Sequence, residues 1–487
     1  MNRGKSLATL GLAGGAGLTV TGLSVDSRKT EPGHLFAALP GNNVHGAEFA
    51  DFARRMGAAA ILTDASGAAL IGALQIPVIA VENPRRVFAL AAARWYDAQP
   101  EVMAAVTGTN GKTSVASFTR QIWEAAGIIA VNFGTTGVEG AVSAPLSHTT
   151  PEPITLHALL ADLAEEGITH AAMEASSHGL AQARLDGVHL TAAAFTNITR
   201  DHLDYHQDFS TYLAAKSGLF DRVLGRGGTA VINIDDPEGP ALVAAATARG
   251  QRVIRTGRGD AADLRLTAQR FDASGQDIRL VWGDQAYTAR LSLIGGFQAD
   301  NVASAAGLAI ACGLPAEDVF AALETLSTVR GRMDLAATRD NGATVFVDYA
   351  HTPDALATAL SNLRPHVMGR LIVVFGAGGD RDPGKRPMMG AAAAAHADVV
   401  YVTDDNPRSE DPSAIRAEIL ASCREANEVG DRAEAILAAV DALQPGDALL
   451  IAGKGHETGQ VVGQDIYPFD DAEAASIAVA ALDGAGA

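Results

Sequence analysis

The chain has 487 residues, 48% hydrophobic and 19% charged, and its 37 Lys and Arg against 56 Asp and Glu leave a net charge of −19. A surface this acidic repels phosphate backbones and anionic lipid, which excludes general nucleic-acid binding; any anionic ligand needs a local capture device. Two cysteines, Cys312 and Cys423, are too few for a disulfide framework or a cysteine-rich metal site and fit a reducing compartment.

Residues 6–24 carry no charge and follow Arg3 and Lys5, which superficially resembles a secretory leader. Five glycines and three threonines interrupt the stretch, and it lacks the dense leucine run of a leader or a spanning helix. The expectation is a cytoplasmic protein with no membrane insertion, acting as a monomer.

From about residue 102 onward, short apolar runs alternate with helical patterns. The runs 102–108, 170–176, 191–198, 229–236, 343–351, 370–379, 398–405 and 447–455 predict strands. Continuous apolar runs ending in Gly, Asp or Asn mark parallel strands buried on both faces. After Lys112, Val115, Phe118 and Ile122 fall on one helical face, and the alanine-rich stretch 391–395 predicts helix. The chain therefore reads as α/β of doubly wound type, in which ligands bind beyond the carboxyl ends of the strands. Breaks near Pro100 and Gly331 suggest three domains, 1–100, 101–330 and 331–487.

Residues 106–114, VTGTNGKTS, occupy a turn between a buried strand and an amphipathic helix. Backbone N–H groups of such a turn cradle phosphate, with Lys112 reaching the terminal phosphates and Thr113 offering its hydroxyl to Mg²⁺. The spacing departs from the usual phosphate-loop pattern, since Val106 stands where glycine is expected, and a plain strand–helix turn is the alternative. In MEASSHGL, 173–180, Glu174 is a candidate metal ligand, Ser176 offers a hydroxyl and His178 a donor; a capped helix start would look the same. In 196–206, Asp201, His202, Asp204 and His206 cluster as a metal site or a solvated turn would. Lys216 stands on an otherwise apolar helix: it either snorkels to the surface or is buried, neutral and able to take up CO₂ as a carbamate. Four later loops, 348–353, 375–387, 404–408 and 452–457, each follow a strand and would converge on one rim. Their arginines suit carboxylates and their acids suit ammonium groups.

Taken in order, TGTNGKT, MEASSHGL, FTNITRDHLDYH, the lysine of YLAAKSGLF, GRMD, DYAHTPDAL, GAGGDRDPGKRP, TDDNPR and AGKGHE resemble the Mur ligase family, from DSR at 26–28 to KGHE, nearly the whole chain. The resemblance implies an N-terminal UDP-binding domain, a central ATPase domain and a C-terminal Rossmann-like domain that brings an amino acid. It implies ATP-dependent amide formation through an acyl phosphate, with ADP and phosphate released. Within the family, the motifs are most similar to enzymes adding the third amino acid to UDP-N-acetylmuramoyl-L-alanyl-D-glutamate.

The family pattern implies roles residue by residue. Gly108, Thr109, Asn110, Gly111, Lys112, Thr113 and Ser114 would hold the ATP phosphates, with Asn301, Arg332 and Asp348 at adenine and ribose. Thr113 and Glu174 would hold one Mg²⁺; His202 and Lys216, as N6-carboxylysine, would support a second. Val25, Ser27, Asn42, Asn43 and Val44 match the uridine site, and Thr149, Thr150, Ser176, Gln182 and Arg184 the muramoyl-dipeptide site. Arg381, Asp405, Asn406, Pro407, Arg408, Gly453 and Glu457 would surround the incoming amino acid. DNPR is the pattern of the members that add meso-diaminopimelate, and the physics agrees: a guanidinium grips the distal carboxylate that lysine lacks. Gln298 and His148 depart from the family's usual asparagines. Competing expectations are a related ligase such as folylpolyglutamate synthetase, a phosphate-loop kinase or phosphohydrolase, and a sugar-nucleotide-binding protein without turnover.

Overall fold

The computed structural model describes residues 4–13, 17–41, 44–201 and 205–484. Asn42, Asn43, His202 and Asp204 lie outside the described residues, so their expected roles rest on sequence alone.

Three larger sheets, all rich in parallel pairing, organise the described residues. The first joins Gly22–Ser24, His34–Ala37, Ala60–Thr63 and Val78–Ala80 in parallel. The leader-like stretch belongs to its core: Leu7, Leu10, Leu12 and Val20 are buried with Leu35, Leu62, Phe88 and Trp95. No helix of the described residues is long and apolar enough to cross a membrane.

The second sheet has ten strands, and its centre is Val102–Thr107. This strand lies parallel between His170–Glu174 and Ala192–Phe195. It is apolar from Val102 to Val106 because both faces are covered. Met103 and Ala105 join one core with Leu156 and Leu160 of the helix Pro153–Glu165, whereas Ala104 and Val106 join another with Phe118 and Val302 of Lys112–Ala125 and Gln298–Ala311. Glu174 pairs with Val106 and Phe195 with Thr107, so three carboxyl ends finish at one level. An antiparallel meander, Leu264–Asp272, Gly275–Trp282 and Gln285–Leu291, extends the sheet. Continuous apolar runs do not reveal it, because burial there is largely one-sided.

The third sheet runs in the order Arg332–Thr338, Thr344–Asp348, Ala448–Ala452, Leu371–Phe375, Val399–Val402, Asn427–Glu428. Only its first strand is antiparallel, and Asp348 lies opposite Ala452. The alanine-rich stretch lies in the helix Lys385–His396. The second and third sheets meet through His366, whose ring lies 2.7 Å from the Asp272 carbonyl and 3.1 Å from the Gly295 nitrogen. The Gly295 N–H can only donate, so Nε2 accepts and Nδ1–H donates to Asp272: the ring is neutral. Burial lowers its pKa in agreement.

Under the third sheet, Arg432 and Asp471 form a fully buried pair at 2.7 Å on both arms. Arg432 also donates to the carbonyls of Ala452 and Asp404, where two functional loops begin. Removing one partner strands a buried charge. Asp471→Ala is expected to cost about 3–5 kcal/mol, read from the denaturant midpoint of the transition that unfolds this domain.

Candidate active site

The turn after Val102–Thr107 is shaped by two glycines. Gly108 has φ 153° and Gly111, capping the helix Lys112–Ala125, has φ 87°. A β-carbon at the first would run into the Thr196 hydroxyl, and at the second into the Asn301 carboxamide. The close approach leaves the backbone exposed toward the cavity at a helix N-terminus, as phosphate capture requires. Lys112 folds back along the turn, its Nζ donating to the carbonyls of Gly108 at 3.0 Å and Thr109 at 2.8 Å.

Glu174, at the end of the neighbouring strand, is buried and points at the same helix. Its Oε1 accepts from Thr113 Oγ1 at 3.1 Å and from the Thr135 N–H at 2.7 Å, and its Oε2 from Thr135 Oγ1 at 3.1 Å. Thr149 Oγ1 lies 3.1 Å from Thr135 Oγ1. Ser176 caps the helix Ser177–Ala181 by accepting from the Gly179 N–H, so the capped helix start expected at MEASSHGL is present.

Lys216 does not snorkel. It is 2% exposed on the helix Phe209–Gly218, and its Nζ donates to the Gly108 carbonyl at 2.6 Å while lying 4.6 Å from the Tyr212 ring centre. Burial first, and the charge of Lys112 second, hold its pKa well below the usual lysine value. Thr109 Oγ1 links the same turn to Tyr212 Oη at 3.1 Å.

The opposite wall comes from the third sheet. The Arg332 guanidinium stacks over Tyr349 at 4.5 Å and its Nη2 lies 3.4 Å from Thr113 Oγ1. Asp348 accepts from the N–H groups of Met333 at 2.7 Å and Ala350 at 2.9 Å; burial raises its pKa against the pull of Arg332. Asn301 donates to Gln298 Oε1 at 3.0 Å, so one departure from the family pattern supports a cavity-lining residue. His148, the other, is exposed and contacts Ser147.

These groups enclose a cavity of about 450 Å³ lined by Thr109–Ser114, Glu174, Lys216, Asn301, Arg332 and Asp348, together with Asp201, Tyr349 and His351. Among the described residues no three His, Cys, Asp or Glu side chains gather to hold a metal by themselves. The expected cluster at 201–206 is not tested by this, since His202 and Asp204 lie outside the described residues. His206 is buried against the rings of His178, Tyr205 and Tyr212. Thr113 and Glu174 still fit Mg²⁺, a hard cation commonly held by one or two protein oxygens plus substrate phosphates.

The muramoyl-dipeptide candidates form one network beside the cavity. Thr150 Oγ1 donates to the Glu174 carbonyl and accepts from the Ser176 N–H; Arg184 donates to the Thr150 carbonyl and to Gln182 Oε1, and Gln182 donates to Tyr205. Val25, Ser27 and Val44 lie on the first domain and do not line the cavity. There, Arg28 holds the Asp26 carboxyl down to about 2.

The four later loops converge as expected. Lys385 Nζ donates to the His351 carbonyl at 2.9 Å, Arg408 Nη1 to the Gly379 carbonyl at 2.8 Å, and Asn406 Nδ2 to Glu457 Oε2 at 2.9 Å. Arg408 sits at φ 53°, held by its N–H to the Val461 carbonyl and by the Gly463 N–H to its own carbonyl. Among the described residues its Nε and Nη2 make no hydrogen bond, which leaves the two-pronged edge of the guanidinium open. Gly453 admits Asp405 against its backbone, and Pro407 packs its carbonyl on Gly379. Arg381 is exposed nearby. Sequence reasoning missed Thr135, Tyr349, Lys385 and Lys454. Threonine in a glycine-flanked turn is unremarkable, whereas Lys454 lies inside AGKGHE and could have been singled out.

Residues 106–309 match the Mur ligase middle domain, 331–455 the Mur ligase glutamate ligase domain and 19–96 the Mur ligase family catalytic domain. The UDP-N-acetylmuramoyl-L-alanyl-D-glutamate--2,6-diaminopimelate ligase of Bradyrhizobium diazoefficiens is 53% identical over 469 residues, 96% of each chain. The ligase of the same name from Brucella melitensis is 51% identical over 95% of each chain. A solved structure bearing that name superimposes with a TM-score of 0.71 at 33% identity over 95% of each chain. A Mycobacterium tuberculosis folylpolyglutamate synthase complexed with ADP reaches 0.63 at 21% identity, over 76% of this chain and 91% of that one, a likeness of fold alone. The chain belongs to the Mur ligase family.

Proposed function

We propose that this chain joins meso-2,6-diaminopimelate to UDP-N-acetylmuramoyl-L-alanyl-D-glutamate at the expense of ATP. The observation that carries the reading is the meeting of Arg332, from the third sheet, with Thr113 of the phosphate turn across one cavity. A carboxylate is a poor acyl donor until one oxygen becomes a leaving group. Its oxygen attacks the γ-phosphorus, the bond to the β-phosphate oxygen breaks, and ADP departs, leaving an acyl phosphate. The incoming amine attacks the acyl carbon, loses a proton and expels phosphate. Most of the task is holding two anions together.

Gly108 to Ser114 would cradle the phosphates, with Lys112 swinging from its carbonyl partners to the terminal phosphate. Thr113 and Glu174 would hold Mg²⁺, which when bound supplies positive charge to the phosphate oxygens. Asn301, Arg332 and Asp348 suit adenine and ribose. The depressed pKa of Lys216 supports a neutral amine able to form a carbamate with CO₂ and release a proton. The Thr150–Gln182–Arg184 network suits the muramoyl-dipeptide end, and Val25, Ser27 and Val44 the uridine. The domains are placed at 1–100, 101–330 and 331–487, and the enzyme as a cytoplasmic monomer. The open edge of Arg408 suits the distal carboxylate, and Asp405 and Glu457 the ammonium groups. Lysine would meet the guanidinium with a like charge.

Lys112→Ala is expected to lower kcat/KM by about a thousandfold or more while leaving binding of the UDP substrate within twofold; calorimetric titration separates the two. Lys216→Ala should lose at least about a hundredfold in turnover, with part restored by added formate or acetate standing in for the carbamate; absence of rescue would contradict that reading. Arg408→Ala is expected to raise KM for diaminopimelate by about a hundredfold with KM for ATP unchanged. An unchanged diaminopimelate KM would sink the assignment of Arg408.

A further inference from the structure

Among the described residues Lys454 is the one lysine whose side chain is completely buried, at 0% exposure. Its side chain does not line the cavity. Its Nζ donates to Asn406 Oδ1 at 3.0 Å and approaches Glu457 Oε2 at 3.3 Å. Asn406 Nδ2 donates to the same Glu457 oxygen at 2.9 Å, and the Val461 N–H donates to the same Asn406 oxygen at 2.9 Å. Because a lysine ammonium can only donate, it determines that Asn406 presents oxygen to it and nitrogen to Glu457. Both donors land on Oε2. Among the described residues Oε1 takes no hydrogen bond, while a third of the Glu457 side chain remains exposed.

We propose that Lys454 is a positioning residue for the amino-acid substrate: it locks the Asn406 carboxamide and ties down one oxygen of Glu457, so that the other faces an ammonium group of the incoming diamino acid. This rests on the reading of Asn406, Arg408 and Glu457 as the amino-acid site. A carboxylate held on one oxygen by two donors cannot rotate freely, and its free oxygen is preorganised for a charge-assisted hydrogen bond. Lys454 also offsets the Glu457 charge locally, so that Arg408 remains available to an external carboxylate rather than being drawn to Glu457. The backbone continues the arrangement. Gln460 donates to the Asp405 carbonyl at 2.7 Å, and the Arg408 N–H donates to the Val461 carbonyl. The hairpin of Gly459–Val462 and Asp465–Pro468 thereby holds the DNPR segment beside Lys454.

The test is steady-state kinetics of Lys454→Met, which keeps the volume and removes the charge, with all three substrates varied and thermal melting recorded. The methionine leaves Asn406 Oδ1 with the Val461 N–H and Glu457 Oε2 with Asn406. The expected result is a rise of about tenfold or more in KM for diaminopimelate. KM for ATP and for the UDP substrate should remain within twofold, and kcat at saturation within about threefold. Lys454→Arg, which retains the charge, should recover part of the lost affinity. Unchanged diaminopimelate KM overturns the proposal, as does an equal fall in kcat with all three KM values unchanged. If the methionine variant does not fold, Lys454→Gln, which keeps a donor toward Asn406, is read by the same criteria. Should wild type itself not use diaminopimelate, the underlying reading of the site fails instead.

Discussion

The carboxyl ends of two parallel sheets face one gap, and the chemistry depends on what those ends can neutralise there. A triphosphate and a carboxylate repel each other strongly in a confined site, so nothing reacts unless fixed positive groups and donors are already aimed at them. The central sheet provides a helix N-terminus, Lys112 and the Thr113–Glu174 pair at one level. The third sheet provides Arg332, braced on Tyr349 and reaching Thr113. Neither sheet alone encloses the cavity. Their mutual placement therefore shapes the cavity, and contacts such as the neutral His366 between Asp272 and Gly295 join the two sheets.

Buried charge is used in three distinct ways. Arg432 and Asp471 compensate each other fully and anchor the bases of two loops. Lys454 is compensated by Glu457 and Asn406 and orients them. Lys216 lies against a backbone carbonyl and an aromatic face, and is pushed toward neutrality by burial and by the charge of Lys112. Burial costs the same kind of energy in each case, but the partner decides whether the outcome is rigidity, orientation or reactivity.

Much of this was legible in the sequence, because parallel strands covered on both faces must be continuously apolar. All eight expected runs contain strands, and the loops after them carry the charged residues. The antiparallel meander at 264–291 was not legible that way, since burial there alternates and its polar positions break the runs. The environment of Lys216 was undecidable from a lone lysine on an apolar helix; only the packing against Gly108 settles it. Thr135, far from Glu174 in sequence, became visible once a neighbouring strand delivered its N–H to that carboxylate. That Leu7, Leu10, Leu12 and Val20 belong to a core required seeing them against Phe88 and Trp95. Motif order carried the rest: nine short segments, each ambiguous alone, share one arrangement.

Coupling between phosphate release and the identity of the amino acid distinguishes a ligase from a phosphohydrolase most directly. Phosphate would be measured with the purified chain, ATP, Mg²⁺ and UDP-N-acetylmuramoyl-L-alanyl-D-glutamate, with meso-diaminopimelate, L-lysine or no amino acid added. Sustained release with diaminopimelate alone, matched by an equal amount of the extended nucleotide product, is the predicted result. Release with lysine in preference to diaminopimelate would contradict the role given to Arg408, and sustained release without any amino acid would contradict the ligase reading itself.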